Sequence, residues 1–573
     1  MVTRNRSVWL WLSIVLIASM LLASCAAPTP QVVEKVVTQV VVEKQSVPVE
    51  VTKVVQQEVT KVVEVSKVVT ATPLPPGPKV GGTLVIATTA AVDSLNPMAA
   101  VGGLWPLQFI GGTLVSKDPA TGKIVPYLAQ SWTVSPDGLA YTFKLREDVK
   151  FHDGSPMTAE DYAWTIQQML NPEKRSYCGN VAYQGVKSAE AVDKSTLKIT
   201  LATPNFYFLN TMAGPGCGEP MSKAYAEKAG DDLAKKPVGV GPFKFVSWEP
   251  GVKVVLERNP DFNWGPSYTH GGPAYIQNIE YRTVLDQATL LAAVESGESH
   301  WSYINNTDSV RVAKTGLARI QQVTLQGNIH TLMMNVEHAP LSDIRVRQAL
   351  GMAIDRDVLM KVVESGIAAP LAGALTSTTP GYCAEADALG FTYQLDKAKA
   401  LMAEAGYTPG PDGILQKDGN PLELTLTYLS WKEKLATVLQ EQLKALGVKV
   451  KMNTGETGTL IGQITKGEHD LAPLGWEGPA SVLFMNYDSK TVGFANAARV
   501  KDPKLDTLLE TMMGTTDAAV NAKAACDAQK MILEQAYGVN LYASMMSAAA
   551  SNLVEDIRWP AGSILYLFDA YFK

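Results

Sequence analysis

Metal-ligand and catalytic signatures are scarce in this chain. Five cysteines and six histidines are spread over 573 residues. No two cysteines form a C-x-x-C pair, which argues against structural zinc. His270, His300, His330, His338 and His469 lie apart without helical metal spacing, so no metal site is expected. There is no H-E-x-x-H, no G-x-S-x-G, no phosphate loop and no dinucleotide fingerprint, and no cofactor is expected. Carboxylate pairs for glycoside cleavage have no spacing signature, which leaves an extracellular hydrolase as an alternative reading. The net charge is -6 with no concentrated basic face, which argues against nucleic acid as a partner. After residue 25 no apolar run is long enough to span a bilayer.

What is present begins at the N-terminus. Arg4 and Arg6 precede an almost wholly apolar run from Val8 to Leu22, followed by Ala23-Ser24-Cys25. A basic start, a short apolar run and small residues before a cut describe a secretory signal over 1–24. The cysteine after the small residues resembles a bacterial lipoprotein signal, with Cys25 as the lipidated first residue. Everything beyond it is then expected outside the cytoplasm, held to a membrane by acyl chains on a periplasmic face or cell surface.

Residues 25–80 read as a stalk. They contain no aromatic residue and carry a near-repeat: Val51-Thr52-Lys53-Val54-Val55, Val59-Thr60-Lys61-Val62-Val63, Val65-Ser66-Lys67-Val68-Val69. A short coiled coil is one reading. Valine is a mediocre helix former and little can be buried, so a solvated spacer, partly helical at most, is expected. A surface adhesin or scaffold is the rival function this stalk suggests. Thr72 to Pro78 is proline-rich and ends it as a stiff, extended segment.

With 46% hydrophobic and 18% charged residues, the remaining body can bury a large core. Gly81 to Ala87 and Leu139 to Leu145 read as strands. Thr158-Ala159-Glu160-Asp161 opens a helix, with acids suiting its first turn. Val240 to Val246 and Val252 to Leu256 read as strands. Arg345 to Val363 and Lys434 to Leu446 read as helices, the second stopped by Gly447. Strand mixed with helix indicates an α/β or α+β class. Cys178 and Cys217 are near enough in sequence to pair, which would leave Cys383 with Cys526. Free buried thiols are the other reading.

Several blocks carry a more specific signal. One is Leu128-Ala129-Gln130-Ser131-Trp132, Ser135-Pro136-Asp137-Gly138 through Arg146, then Val149-Lys150-Phe151-His152-Asp153-Gly154-Ser155-Pro156. Others are Pro237-Val238-Gly239-Val240-Gly241-Pro242-Phe243-Lys244 with Leu256 to Pro260, Arg345 to Leu350 with Ala353 to Arg356, and Asp396-Lys397-Ala398 with Ala405-Gly406-Tyr407. Physically they are framework: turns, strand starts and a helix entry. His152 reads as structural. Taken in order, they resemble the peptide- and nickel-type solute-binding proteins of ABC importers, bacterial extracellular solute-binding family 5.

The resemblance implies a two-lobed periplasmic-binding-protein-like α/β fold with an inserted subdomain in lobe one. By position, lobe one is 81–112, 236–325 and 536–573, the insert 113–235, and lobe two 326–535. A monomer that captures a peptide-like solute between its lobes and delivers it to a permease is implied. In peptide-binding members an aspartate a few residues after a Gly-Trp pair holds the amino terminus. Here Gly475-Trp476 is followed by Glu477-Gly478-Pro479, and the acid is missing near Pro479. Glu477 is a substitute. Trp476, Trp431 and Trp105 are expected in the cleft, and Trp301 is a further aromatic candidate. Asn335 is expected to touch ligand or fix the hinge. Exposed indoles suit sugar rings as well, which keeps an oligosaccharide ligand as an alternative. Trp132, Trp164 and Trp248 are expected in the core.

Overall fold

The computed structural model describes residues 40–45, 57–62, 78–100, 104–174, 176, 178–179, 183, 185–214, 216–560 and 565–573. The segment 1–24 expected to be a signal, and Cys25, lie outside the described residues. Within the stalk, Val40–Gln45 pairs antiparallel with Gln57–Val62, in the register Val40 to Val62. The helical or coiled-coil reading is not met there. Valine is stiff at its branched β-carbon and favours extended backbone.

The body, Pro78–Lys573, is a compact unit of its own. Its first half-sheet runs in the order Phe243–Glu249, Lys253–Arg258, Ile276–Thr283, Gly81–Thr88, Trp301–Ile304 and then Gly538–Ser551. Gly81–Thr88 pairs parallel with both of its neighbours. These strands, flanked by Ala318–Thr324, form lobe one. Leu84, Ile86, Phe243, Ile279 and Trp301 fill its core.

The second half-sheet is His330–Met334, Leu471–Leu474, Glu423–Thr427 and Lys449–Asn453. Glu423–Thr427 and Lys449–Asn453 are parallel, joined by the helix Glu433–Leu446. That helix buries Leu435, Leu439, Leu443 and Leu446, each worth about 1.5–3 kcal/mol when fully removed from water. Gly447 ends it at φ 100°, where a glycine avoids the Cβ clash. The expected single helix from Arg345 is two, Ile344–Met352 and Arg356–Val363. Asp355 breaks the run because its carboxylate accepts the Val358 N–H at 3.1 Å and so caps a new helix.

One strand belongs to both lobes. Gly538–Ser551 is fourteen residues long. Its first part pairs with His330–Met334 and its last part with Trp301–Ile304 and Ala318–Thr324. The return to lobe one therefore falls inside this strand, near Ala543 to Met545, rather than at 536. The other crossing is Leu325 to Ile329. It is tied down by Leu325 N–H to Ser544 O (2.9 Å), and by Gly327 N–H to Thr379 Oγ1 (2.7 Å).

Between Leu104–Ile110 and Phe243–Glu249 lies a separate antiparallel sheet: Ala129–Val134, Ala140–Leu145, Thr196–Leu201, Val186–Asp193. The helix Ala159–Leu170 covers it, and Asp161 accepts the Thr158 N–H at 2.9 Å at its entry. This inserted subdomain shares a core with Val240, Phe262 and Trp264 of lobe one. His152 is built into that junction: its N–H donates to Gly239 O, and Gly239 N–H donates to His152 Nδ1. Cys178 and Cys217 are joined in a disulfide with Cα atoms 5.2 Å apart. Cys383 and Cys526 are joined within lobe two, 5.1 Å apart.

Candidate functional site

Where the crossings join the lobes, a cleft of about 520 Å³ opens. Trp105, Tyr303 and Asn306 line its lobe-one side, Glu364 and Ser365 its lobe-two side, and Met545 its floor. Trp105 stands edge-on to Tyr303, with ring centroids 5.1 Å apart. Asn306 closes one end: its amide donates to Glu364 Oε2 (3.0 Å) and Ile367 O (3.1 Å), and its carbonyl accepts from Ser547 Oγ (2.9 Å). Thr307 and Ser365 hydroxyls meet at 2.7 Å.

The loop after Leu471–Leu474 brings two expected residues to this region. Trp476 is bound to the crossing from both sides of its peptide. Its N–H donates to Asn328 Oδ1 (3.3 Å), and its carbonyl accepts the Asn328 N–H (3.2 Å). The fit leaves no room for side chains beneath. A Cβ at Gly475 would lie 1.9 Å from Asn328 O, and one at Gly327 would lie 2.1 Å from Trp476 O. Trp476 as a whole stays 45% exposed. Glu477 follows, and no hydrogen bond or ion pair holds it among the described residues. Loss of hydration pushes its carboxyl above the usual glutamate range. Its charge is felt by Tyr303 of lobe one, whose hydroxyl is pushed up first by burial, then by Tyr281 and by Glu477. Trp105 and Tyr303 thus line the cleft, while Trp476 is bonded to the crossing and Glu477 follows it within electrostatic reach of Tyr303.

Other expected residues lie elsewhere. Asn335 is fully buried and is not a ligand contact. Its amide donates to Gly467 O (3.1 Å) and His469 O (3.0 Å), and its carbonyl takes the Glu337 N–H (3.1 Å). A buried amide must satisfy its own donors and acceptors, and these backbone partners use them. Trp301 is core: fully buried, with its indole donating to Gln321 Oε1 at 2.9 Å and Trp559 packed 5.4 Å away. Trp431 is 67% exposed, in the helix-leading turn Ser430–Lys432. Trp132 and Trp248 are half-buried against their cores, and Trp164 packs on a small cluster beside Leu233.

Two residues had no signal in the sequence. Lys432, next to the exposed Trp431, is buried, and its ammonium donates to Ile329 O (3.2 Å) and Pro473 O (2.8 Å), tying crossing to strand end. Burial pulls it down to about 8. His330 lies on Tyr542 with centroids 4.4 Å apart and meets Ser544 Oγ at 2.9 Å. Burial, then Lys432, pulls it down to about 3, so it stays neutral.

Two lobes joined by two crossings, with an aromatic, solute-sized cleft between them, define a solute-binding protein of the periplasmic type. Known proteins agree. Residues 123–491 match the family described as "Bacterial extracellular solute-binding proteins, family 5 Middle". The chain is 31% identical over 442 residues to the glutathione-binding protein GsiB of Pectobacterium atrosepticum, covering 75% of this chain and 82% of that one. It is 27% identical to di/tripeptide-binding protein 2 of Pseudomonas aeruginosa, covering 79% and 88%. The ABC transporter-associated periplasmic binding protein DppA of Helicobacter pylori, solved with the peptide STSA, superimposes with a TM-score of 0.67. It is 27% identical and covers 86% of this chain and 98% of its own. The chain belongs to bacterial extracellular solute-binding family 5, a family of binding proteins that work outside the cytoplasm.

Proposed function

We propose that the protein captures a peptide-like solute with a free amino terminus and delivers it, chemically unaltered, to an ABC import permease. The carrying observation is Glu477, an exposed carboxylate next to Trp476 that has no hydrogen-bond or ion-pair partner among the described residues. A carboxylate without a protein partner is free to take a ligand ammonium in a charge-assisted hydrogen bond, and closure of the lobes over it would strengthen that contact. Trp476 and Trp105 would supply apolar contact. The relatives that bind glutathione, di/tripeptides and the peptide STSA support the same ligand class. Cys25 would carry the acyl anchor, with 25–80 as spacer, and the protein would act as a monomer. The exposure of Trp431 and Trp476 favours, as a second reading, an oligosaccharide stacked on indole faces.

Titration calorimetry of the intact protein tests both readings with trialanine, N-acetyl-trialanine, glutathione and maltotriose. Acetylation should weaken trialanine about tenfold or more, the range for losing a charge-assisted contact. Glu477→Gln should remove that difference, and Trp476→Ala should weaken all peptides. Because desolvation raises the Glu477 carboxyl above the usual glutamate range, peptide affinity should fall on acidification sooner than an ordinary glutamate would make it. Equal binding of acetylated and free peptide, or tighter binding of maltotriose, would discard the peptide reading. Cleaved product would discard delivery without chemistry.

A further inference from the structure

We propose that the loop Asn205 to Tyr207 of the inserted subdomain is a closure latch, and that Tyr207 seats in lobe two only while the cleft is shut. The chain enters and leaves this subdomain from lobe one, whose core it shares. Yet its loop reaches into lobe two. Phe206 N–H donates to Met513 O at 2.9 Å, at the end of the helix Pro503–Gly514. Tyr207 is 3% exposed and packs within the lobe-two core that contains Ala480 and Leu483. Its hydroxyl lies 3.2 Å from Oδ1 of Asn521, itself buried and donating to Met512 O at 2.7 Å.

The seat is shaped for this ring. A Cβ at Gly381 would fall 2.7 Å from the Tyr207 hydroxyl and 2.6 Å from the Ala480 Cβ. The loop is braced from its own side as well. Tyr207 N–H donates to Asn205 Oδ1 (3.0 Å), and the Tyr141 hydroxyl donates to Asn205 O (3.0 Å). Among the described residues no covalent bond joins the insert to lobe two, whereas the lobes are joined covalently at Leu325 to Ile329 and within Gly538–Ser551, which reaches the cleft floor at Met545. A rotation of lobe two about those crossings must draw Tyr207 out of its seat.

The latch also touches the ligand loop. Ala480, against which Tyr207 seats through Gly381, ends the segment that starts with Trp476 and Glu477, and its N–H is held by Pro380 O at 2.9 Å. A solute that orders 476–479 would therefore order the seat. Tyr207 is a positioning residue in this scheme, acting on closure and touching no solute. The proposal rests on the lobes closing, and not on the solute's identity.

Hydrogen exchange on the intact protein is the test. In ligand-free protein the Phe206 amide should exchange faster than the Val539 and Leu541 amides of the shared strand, because latch release needs only a sub-global opening. Tyr207→Phe, which keeps the ring and loses one hydrogen bond, should speed Phe206 exchange about five- to tenfold. Tyr207→Ala should in addition raise the radius of gyration in X-ray scattering while leaving the insert's circular dichroism unchanged. With trialanine bound, Phe206 should become protected, and Tyr207→Phe should speed dissociation by a similar factor with the association rate unchanged. Phe206 exchange as slow as Val539 in ligand-free protein, unmoved by Tyr207→Phe, would show a permanent contact and overturn the latch. Absence of trialanine binding would count against the peptide reading alone, because the ligand-free exchange decides the latch.

Discussion

Glu219 is an acid that the fold buries with half of its carboxylate unpartnered among the described residues. It is 5% exposed, and one carboxylate oxygen accepts the Gly216 N–H at 2.5 Å. The other has no partner among the described residues, although Tyr127 and Gln108 line the same small cavity of about 50 Å³. Burial pushes its carboxyl from 4.5 up to about 7. A raised acid favours the fold only while it stays protonated. That stability is complete below pH 4.5 and is lost as pH rises through 7. The loss amounts to about 3 kcal/mol above pH 7. Glu219→Gln, which keeps shape without charge, should flatten this dependence, and denaturant unfolding at pH 5 and pH 8 measures it. If wild type and variant lose stability alike on going to pH 8, Glu219 is not the strained group. Nothing in the sequence around Glu219 announces its burial, because a charged residue reads as surface until the chain around it is folded. Asn335 shows the converse. Its place at the end of Leu332-Met333-Met334 was legible, but whether its amide faced solute or backbone depended on Gly467 and His469, more than a hundred residues away.

Turns, caps and amphipathic helices follow from neighbours in the chain, and these elements were legible. Glu433–Leu446 and its glycine stop, the strand Ala140–Leu145 and the helix entry at Thr158 all sit close to where their patterns place them. Asp355 divided a helix that looked continuous, since a cap and a solvent-facing acid read alike in sequence. The tight apposition of the Trp476 loop on the crossing belongs to the same scale. Gly327 has φ +89° and approaches Trp476 O too closely for any Cβ. Gly327→Ala should cost about 1–3 kcal/mol of stability from the backbone conformation alone and displace the tryptophan. The expected readout is a lowered melting temperature together with peptide affinity reduced at least as much as in Trp476→Ala. Undiminished affinity would mean that the loop does not depend on this contact.

For the molecule as a whole, the decisive element is Gly538–Ser551, which is shared by the two half-sheets. Closing on solute must pivot at its middle and at Leu325 to Ile329, because these are the segments that cross. X-ray scattering of the intact protein should show a smaller radius of gyration with saturating trialanine than without. An unchanged radius on demonstrated binding would mean that the lobes are already shut before ligand arrives. The blocks from Leu128 to Tyr407 are local turns and entries. They survive as short-range patterns in the linear chain, and it was their resemblance to solute-binding family 5 that implied two lobes, an insert and a binding role. Which indole is buried, where the return strand changes lobes, how Glu219 is sealed from water and how Tyr207 reaches Asn521 were settled only in the folded molecule. Each depends on groups far apart in sequence, and their desolvation and contact exist only once the sheets have closed over them.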